Sequence, residues 1–279
     1  ASVTLVPSWV AENVLHAGDI VHILHCLSRD TPEARRSFEE KVAPFMARIQ
    51  DFTSQEPTTH FLTGEPQDAI VEAAKRLGLH LLVTGSAEKG PIKRLFAGSV
   101  SDHCIHNAHC HGIVVRSVPP AGPPPRRIAI AIVRESARKV FGWAISNLIK
   151  KGDSVVFMHT EKSEAKLVLE LSFDADGMGL EKAKEMKDQL DKAHAEFQAS
   201  IQEFVEECDQ VGASCSTFIL SGDPRDAVVD GADEVEADVL VLGARNVNTV
   251  KRNLLGSVST YALHHSPCPV AVVRNAHEQ

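Results

Sequence analysis

Apolar residues occur along this chain in two kinds of run, and the two kinds alternate. One is a short continuous run such as 128–133, which is typical of a β-strand buried on both faces. The other has apolar residues at helical spacing, as over 139–150. From residue 126 onward this alternation predicts the order β-α-β-α-β-α-β-α-β. Such an order favours a mostly parallel sheet with helices on both faces.

The predicted elements of this part of the chain can be bounded from the same pattern. A long helix at 181–211 has one apolar face, and another helix follows the turn at Gly222-Asp223-Pro224. A last helix begins near Ser257. The predicted strands are 128–133, 154–159, 214–220, 238–242 and 270–273.

The chain carries this α/β unit twice. At an offset of 158 residues, the Gly-acid-Pro turn of 64–66 recurs at 222–224, and Gly98-Ser99-Val100-Ser101 recurs as Gly256-Ser257-Val258-Ser259. Upstream the offset is 134, which matches Trp9 to Trp143. The second copy therefore has 24 extra residues (158 minus 134), near 160–185. We expect one domain at 1–118, a stiff proline-rich linker at 119–125 and a second domain at 126–279.

The first copy has an unusual start. The run 3–6 could be its first strand, but only Pro7 and Ser8 separate this run from the helix that contains Trp9. The second copy uses about ten residues at the same place. Two explanations are open: the loop is deleted in the first copy, or residues lie outside the sequence given.

Composition and charge limit the class of protein. Aromatic residues make up only 5% of the chain, so the cores must consist mainly of Val, Ile, Leu and Ala, as parallel sheets prefer. The formal net charge of −8 argues against nucleic acid as a general partner. No apolar run is long enough for a membrane span. The six cysteines form no C-x-x-C pair, and we expect reduced thiols in a cytoplasmic protein without a signal peptide.

The Gly-Ser turns are the strongest candidate for chemistry. In a parallel α/β sheet, ligands bind beyond the carboxyl ends of the strands, where Gly243 and the 256–259 turn are expected to meet. A helix N-terminus offers free N–H groups and partial positive charge, and glycine lets a phosphate approach closely. The first copy offers Gly85 with the 98–101 turn. The alternative is that Ser99 and Ser257 only cap their helices.

These turns and their spacing resemble the universal stress protein family in its tandem form. The family pattern is Gly, two residues, Gly, nine residues and Gly-Ser, followed by a helix and a Pro-Val-x-Val-Val strand, and 243–257 and 267–273 match most of it. The resemblance implies two five-stranded, Rossmann-like sheets of the adenine nucleotide alpha hydrolase type. It also implies ATP or AMP as ligand, with Mg²⁺ as its accompanying ion. The implied contacts are Gly243, Asn246, Gly256, Ser257, Val258, Ser259 and Val133 in the second copy, and Gly85, Gly98, Ser99, Val100 and Ser101 in the first.

Both sites depart from the family pattern. The second glycine of the motif is Glu88 in the first copy and Asn246 in the second, and Glu88 adds negative charge near a phosphate. The family's aspartate at the end of the first strand aligns with Val133. The second domain is therefore the better candidate. The basic pairs 93–94 and 251–252 could reach phosphates or simply be solvated.

Residues 102–111 are dense in metal-ligand types. His103, His106 and Cys110 share a helical face, so a zinc or nickel site is conceivable. We favour no metal, because Cys110 and its counterpart Cys268 occupy a small apolar position before the last strand. His25 and its counterpart His159 are better explained by packing or a loop hydrogen bond than by catalysis.

Three functions remain open at this point. The first is a stress-response module that binds or senses adenine nucleotide, and the second is a scaffold that acts through protein partners. The third is an enzyme with slow ATP hydrolysis, for which no catalytic arrangement is found. The resemblance also implies pairing through the last strands, where family members usually pair. We therefore predict that 113–118 and 270–275 pair as antiparallel strands within one chain, which makes a pseudo-dimer. A homodimer is an alternative assembly.

Overall fold

The computed structural model describes residues 2–85, 98–115, 125–133, 136–161, 188, 191–192, 195–244 and 255–274 of the 279-residue chain. In the first repeat the elements are α1 (Ser2–Asn13), β1 (His22–Cys26), α2 (Pro32–Thr53), β2 (Thr58–Leu62), α3 (Pro66–Arg76), β3 (Leu81–Gly85), α4 (Ser99–Asn107) and β4 (His111–Val115). In the second they are β5 (Arg127–Ala131), α5 (Ala137–Asn147), β6 (Ser154–Glu161), α6 (Gln202–Val211), β7 (Ser214–Ser221), α7 (Pro224–Glu234), β8 (Val239–Gly243), α8 (Ser257–His265) and β9 (Val270–Val273).

The second repeat forms the predicted five-stranded parallel sheet, in the order β9-β8-β5-β6-β7. Helices α5 and α6 cover one face, where Phe141, Phe157 and Phe204 pack together in the core. Helices α7 and α8 cover the other face. The helix predicted at 181–211 is observed at 195–200 and as α6, and most of its first part lies outside the described residues. The 160–185 insertion also lies outside them beyond Glu161.

The Gly-acid-Pro turns start the third helix of each repeat, as predicted. Gly64 and Gly222 have φ of +103° and +110°, a backbone conformation that favours glycine. Proline then occupies the first helical position of α3 and α7, where it loses no hydrogen bond. In α7 the Asp223 carboxylate also accepts the Arg225 N–H at 2.9 Å. This local chemistry fixes where each helix begins.

The two repeats share one sheet, because β4 and β9 pair in antiparallel fashion. Their register places Gly112 opposite Val272, Ile113 opposite Ala271 and Val114 opposite Val270. The predicted antiparallel pairing is confirmed for these residues, while 116–118 and 275 lie outside the described part. The pairing gives a seven-stranded sheet in the order β3-β4-β9-β8-β5-β6-β7. Each repeat thus covers the sheet edge of the other.

The fold class is the predicted one, but the described residues of the first repeat form four strands and not five. Residues 3–6, expected as a first strand, lie in α1. With Trp9 matched to Trp143, α1 corresponds to α5, so the residues 3–6 align with helix and not with β5. The position between β3 and β1 therefore holds no strand among the described residues, and β1 and β2 form a separate two-stranded sheet. None of the helices in the described part of the chain is long and apolar enough to cross a membrane.

Candidate functional site

The sheet of the second repeat has a topological switch point between β5 and β8. From β5 the chain continues to β6 and β7 on one side, whereas β8 and β9 lie on the other. The loop after β5 leads to one side of the sheet and the loop after β8 leads to the other side. A crevice therefore opens between these loops, beyond the carboxyl ends of β5 and β8. Val133 follows β5 there and is 45% exposed, and Gly243 ends β8.

Helix α8 points its N-terminus at the same edge. Gly256 is the N-cap residue, with φ −68° and ψ 159°, and the exposed Ser257 begins the helix. The first N–H groups of a helix have no acceptor within it and carry partial positive charge. The first turn of α8 contains no acidic residue. This end of α8 can therefore receive an anion.

Ser259 has a structural role that the sequence did not indicate. Its hydroxyl donates a 2.9 Å hydrogen bond to the Gly243 carbonyl, and the residue is only 3% exposed. The counterpart in the first repeat does the same, since the Ser101 hydroxyl donates to the Gly85 carbonyl at 2.7 Å. The hydroxyl of Ser259 is thus used to tie the turn to the strand, and the exposed hydroxyl of Ser257 is the one that faces solvent. Serine occurs at both 101 and 259, but the sequence does not show which carbonyl its hydroxyl contacts.

Gly243 is needed for close packing at the crevice. A Cβ atom at this position would lie 3.0 Å from Val140 Cγ2 and 3.1 Å from Ser136 Oγ. Both contacts are tight, so a side chain would push the start of α5 away from the end of β8. The N–H and hydroxyl of Ser136 also donate to the Val133 carbonyl, at 2.9 and 3.3 Å. The glycine thereby lets the loop after β5 lie against β8.

Several predicted contacts cannot be placed. Asn246 and the basic pair 251–252 lie outside the described residues, as do Glu88 and the pair 93–94. The structure brings Val133, Gly243 and the 256–259 turn to one edge of the sheet, as the sequence predicts for the second repeat.

The Gly-Ser turn of the first repeat lies in a different setting. Gly85, Gly98, Ser99, Val100 and Ser101 line a cavity of 1260 Å³ that extends between β1 and β3. Because no described strand corresponds to β5, the crevice found in the second repeat has only one wall here. Helix α4 also has an acidic residue, Asp102, in its first turn. The N-terminus of α4 is therefore expected to bind an anion more weakly than the N-terminus of α8.

The histidines at the junction of the repeats pair across it. His264 Nε2 lies 3.1 Å from Asp102 Oδ1, and His106, the counterpart of His264, lies 3.4 Å from Thr260 Oγ1. His103 instead faces Asp68, with 3.2 Å between Nε2 and Oδ1. In the described part of the chain, no group of three or more His, Cys, Asp or Glu side chains lies close enough together to hold a metal ion. The hydrogen bonds therefore direct His103 and His106 to different partners.

His25 and His159 pack against aromatic rings, as predicted. His25 stacks on Phe38 with ring centroids 3.8 Å apart, and His159 stacks on Phe197 at 4.7 Å. Burial, with a smaller contribution from the charge of Lys41, lowers the pKa of His25. These rings stabilise the junction between the sheet and the helices that cover it.

The buried thiols are poor nucleophiles. Burial raises the pKa of Cys104 to about 12 and also raises the pKa of Cys110. All six cysteines are free thiols. A thiolate is the reactive form of cysteine, so neither Cys104 nor Cys110 is prepared for catalysis.

Comparison with known proteins agrees with this architecture. The model of the universal stress protein family matches the chain twice, over residues 6–116 and 125–274. The universal stress protein A-like protein of Arabidopsis thaliana is 26% identical over 147 residues, which are 51% of this chain and 81% of that protein.

Solved structures agree with the fold. A universal stress protein from Archaeoglobus fulgidus aligns with a TM-score of 0.57 and 19% identity, covering 99% of this chain and 92% of its own. A protein of unknown function from Pseudomonas aeruginosa aligns with a TM-score of 0.62 and 15% identity, covering 93% and 83%. The chain belongs to the universal stress protein family, and it carries the family's unit twice.

Proposed function

We propose that the second repeat binds an adenine nucleotide, ATP or AMP, at the carboxyl edge of its sheet. The observation that carries the proposal is the coincidence of two features. The switch point between β5 and β8 opens a crevice at Gly243, and the free N-terminus of α8 faces the same edge. The nucleoside would lie in the crevice beside Val133, with its phosphates at Gly256 and Ser257.

The chemistry of the turn supports this arrangement. The N–H groups of Ser257, Val258 and Ser259 lie in the first turn of α8, where they can donate to phosphate oxygens. Gly256 has no side chain to obstruct a phosphate, and the exposed Ser257 hydroxyl adds a donor. Val133 stands where the family pattern has aspartate, so one polar contact to the nucleoside is missing. We therefore expect weak binding, and a role in sensing nucleotide and not in turning it over.

The first repeat is not expected to bind nucleotide in the same way. Its Gly-Ser turn opens onto the large cavity, and Asp102 adds negative charge to the first turn of α4. The two repeats thus provide a matched comparison within one chain.

The test uses one substitution at the equivalent position in each repeat. Both Ser257 and Ser99 are exposed first residues of their helices, where aspartate favours the helix. Aspartate at Ser257 also repels a phosphate. We expect Ser257→Asp to weaken ATP and AMP binding roughly tenfold or more, measured by isothermal titration calorimetry with and without Mg²⁺. Ser99→Asp should leave binding unchanged.

Two results would contradict the proposal. One is the absence of binding heat for the wild-type chain at millimolar ATP and AMP, together with no nucleotide in native mass spectra of the purified protein. The other is an equal loss of affinity in the two variants, which would place the nucleotide elsewhere. Circular dichroism of each variant checks that its helices remain formed.

A further inference from the structure

Two cysteines meet where a helix of the second repeat covers the end of the sheet. Cys208 lies in the last turn of α6, and Cys215 is the second residue of β7. Strand β7 pairs with β6 on one side, and its other edge pairs with no strand among the described residues. The two thiols therefore lie at the margin of the core and not at its centre.

The backbone between the two cysteines brings them together. Gly212 ends α6 with φ of +77°, the left-handed conformation that reverses the chain after a helix. The Ala213 N–H then donates to the Cys208 carbonyl at 2.9 Å. Strand β7 begins at the next residue, Ser214, which pairs with β6. The start of β7 is thus held beside the last turn of α6.

Both side chains are directed into the same core cluster. Cys208 follows Phe204 and Val205 at helical spacing on the face of α6 that packs on the sheet, and it is completely buried. Cys215 and Ile219 lie on the face of β7 that α6 covers, and both are only partly buried. The two thiols are hydrogen-bonded to each other. One thiol is therefore closed off from solvent, and its partner is accessible to a small molecule.

This hydrogen bond gives the two thiols different chemistry. The bond to Cys215, together with burial, raises the pKa of Cys208. The same bond lowers the pKa of Cys215, although burial opposes it. The proton therefore stays on Cys208, and Cys215 becomes the thiolate. Burial raises the pKa of Cys26 and Cys104 instead. An accessible thiolate beside a second cysteine is the arrangement that favours oxidation to a disulfide.

We propose that Cys215 is a site of oxidation by hydrogen peroxide and that Cys208 then forms a disulfide with it. The thiolate sulfur of Cys215 attacks one peroxide oxygen, and the O–O bond breaks. The leaving hydroxide takes a proton from solvent and becomes water, so Cys215 now carries a sulfenic acid.

The second step uses the thiol that is closed off from solvent. The sulfur of Cys208 attacks the sulfur of Cys215, and the S–O bond breaks as the S–S bond forms. The hydroxide that leaves takes the thiol proton of Cys208 and becomes a second water. The two cysteines together lose two electrons, which reduce one peroxide to two waters. A reducing thiol reverses the change by exchange with the disulfide.

The disulfide would join the end of α6 to the edge strand β7. Edge strands separate from a sheet more easily than central ones, so a covalent link here restricts local opening. The first repeat does not have this pair, because the offset of 158 places Gln50 and Pro57 at the matching positions. Oxidation therefore acts on one repeat and leaves the other unchanged.

The test maps oxidation of the full chain by mass spectrometry. The reduced protein is treated with hydrogen peroxide, its remaining thiols are alkylated, and the denatured protein is cleaved before aspartates. Cleavage at Asp209 separates Cys208 from Cys215. We expect the two resulting peptides to be joined by a disulfide that dithiothreitol releases, while the other cysteines are alkylated.

Two substitutions of Cys208 separate its roles. Both remove the thiol that closes the disulfide, so dimedone, which traps sulfenic acids, should label Cys215. The hydroxyl introduced by Cys208→Ser can still donate to the thiolate, whereas Cys208→Ala removes the donor. Loss of this charge-assisted bond lowers the thiolate fraction about tenfold, and the higher nucleophilicity of a more basic thiolate partly compensates. Oxidation of Cys215 should therefore slow roughly threefold in Cys208→Ala and hardly at all in Cys208→Ser.

Cys26→Ser is the control, because Cys26 is another partly buried thiol and lies outside the pair. It should leave the linked peptides unchanged. A disulfide between other cysteines, or between two copies of the chain, would overturn the proposal. So would oxidation of Cys215 that is no faster than that of Cys26, or equal slowing in the two Cys208 variants. Circular dichroism checks that each variant is folded, and mapping of the wild-type chain decides the outcome without any variant.

Discussion

The strongest stability prediction compares two aspartates that occupy the same position in the two repeats. Each accepts a backbone N–H from three residues upstream, His16 for Asp19 and Lys150 for Asp153. They differ in what else they contact. Asp153 is 2% exposed and pairs in bidentate fashion with the buried Arg126, whereas Asp19 is 45% exposed.

The magnitude follows from this difference. Asp153→Ala leaves the guanidinium of Arg126 buried without its carboxylate, which costs about 3–5 kcal/mol of the free energy of unfolding. Asp19→Ala removes one exposed hydrogen bond, at about 0.5–1.5 kcal/mol. We expect Asp153→Ala to be the more destabilising by at least about 1.5 kcal/mol. Replacing the pair together, as Arg126→Met with Asp153→Leu, should recover most of the loss, because no unpaired charge remains.

Urea denaturation followed by circular dichroism and tryptophan fluorescence measures these values. The two tryptophans, Trp9 in α1 and Trp143 in α5, lie in one core cluster, so coincidence of the fluorescence and circular dichroism transitions tests whether unfolding is a single cooperative step. Equal costs for the two alanine variants would refute the reasoning, because the Arg126 pair would then add nothing. A double variant less stable than Asp153→Ala would refute the explanation that a buried, unpaired Arg126 causes the loss.

Two further predictions concern the junction of the repeats and the helix beside it. Burial lowers the pKa of His111 from 6.5 to about 4, so the native state excludes a proton that the unfolded chain binds. The free energy of unfolding should therefore fall as pH falls from 6.5 towards 4, by at most about 1.4 kcal/mol per pH unit. Urea denaturation at several pH values should show that His111→Gln reduces this slope, and the part that remains comes from other histidines with a lowered pKa, such as His25. A Cβ at Gly112 would collide with Ile105, whereas one at Gly142 in α5 meets open space. Thermal denaturation should show Gly112→Ala destabilised by about 1–3 kcal/mol and Gly142→Ala stabilised by about 0.5–1 kcal/mol.

The sequence predicted the second repeat well, because the apolar pattern of each segment there agrees with the β-α alternation of the whole repeat. The run at 128–133 is apolar, and its residues 128–131 lie in β5 and are buried, whereas Val133 follows the strand and is exposed. In the first repeat, the apolar run at 3–6 did not predict the structure in the same way. Val3 to Val6 have strand-like composition, yet they lie in α1, at the positions that correspond to the start of α5. The role of Ser259 was missed because a hydroxyl gives no sign in sequence of the carbonyl it will meet.

Among the described residues, no strand lies between β1 and β3, and this accounts for several differences between the repeats. Gly85 there faces no second strand like β5, and the Gly-Ser turn of the first repeat opens onto the 1260 Å³ cavity. For the same reason, Asp19 has no arginine partner in the described part of the chain, whereas Asp153 pairs with Arg126, and β1 and β2 form a sheet of their own.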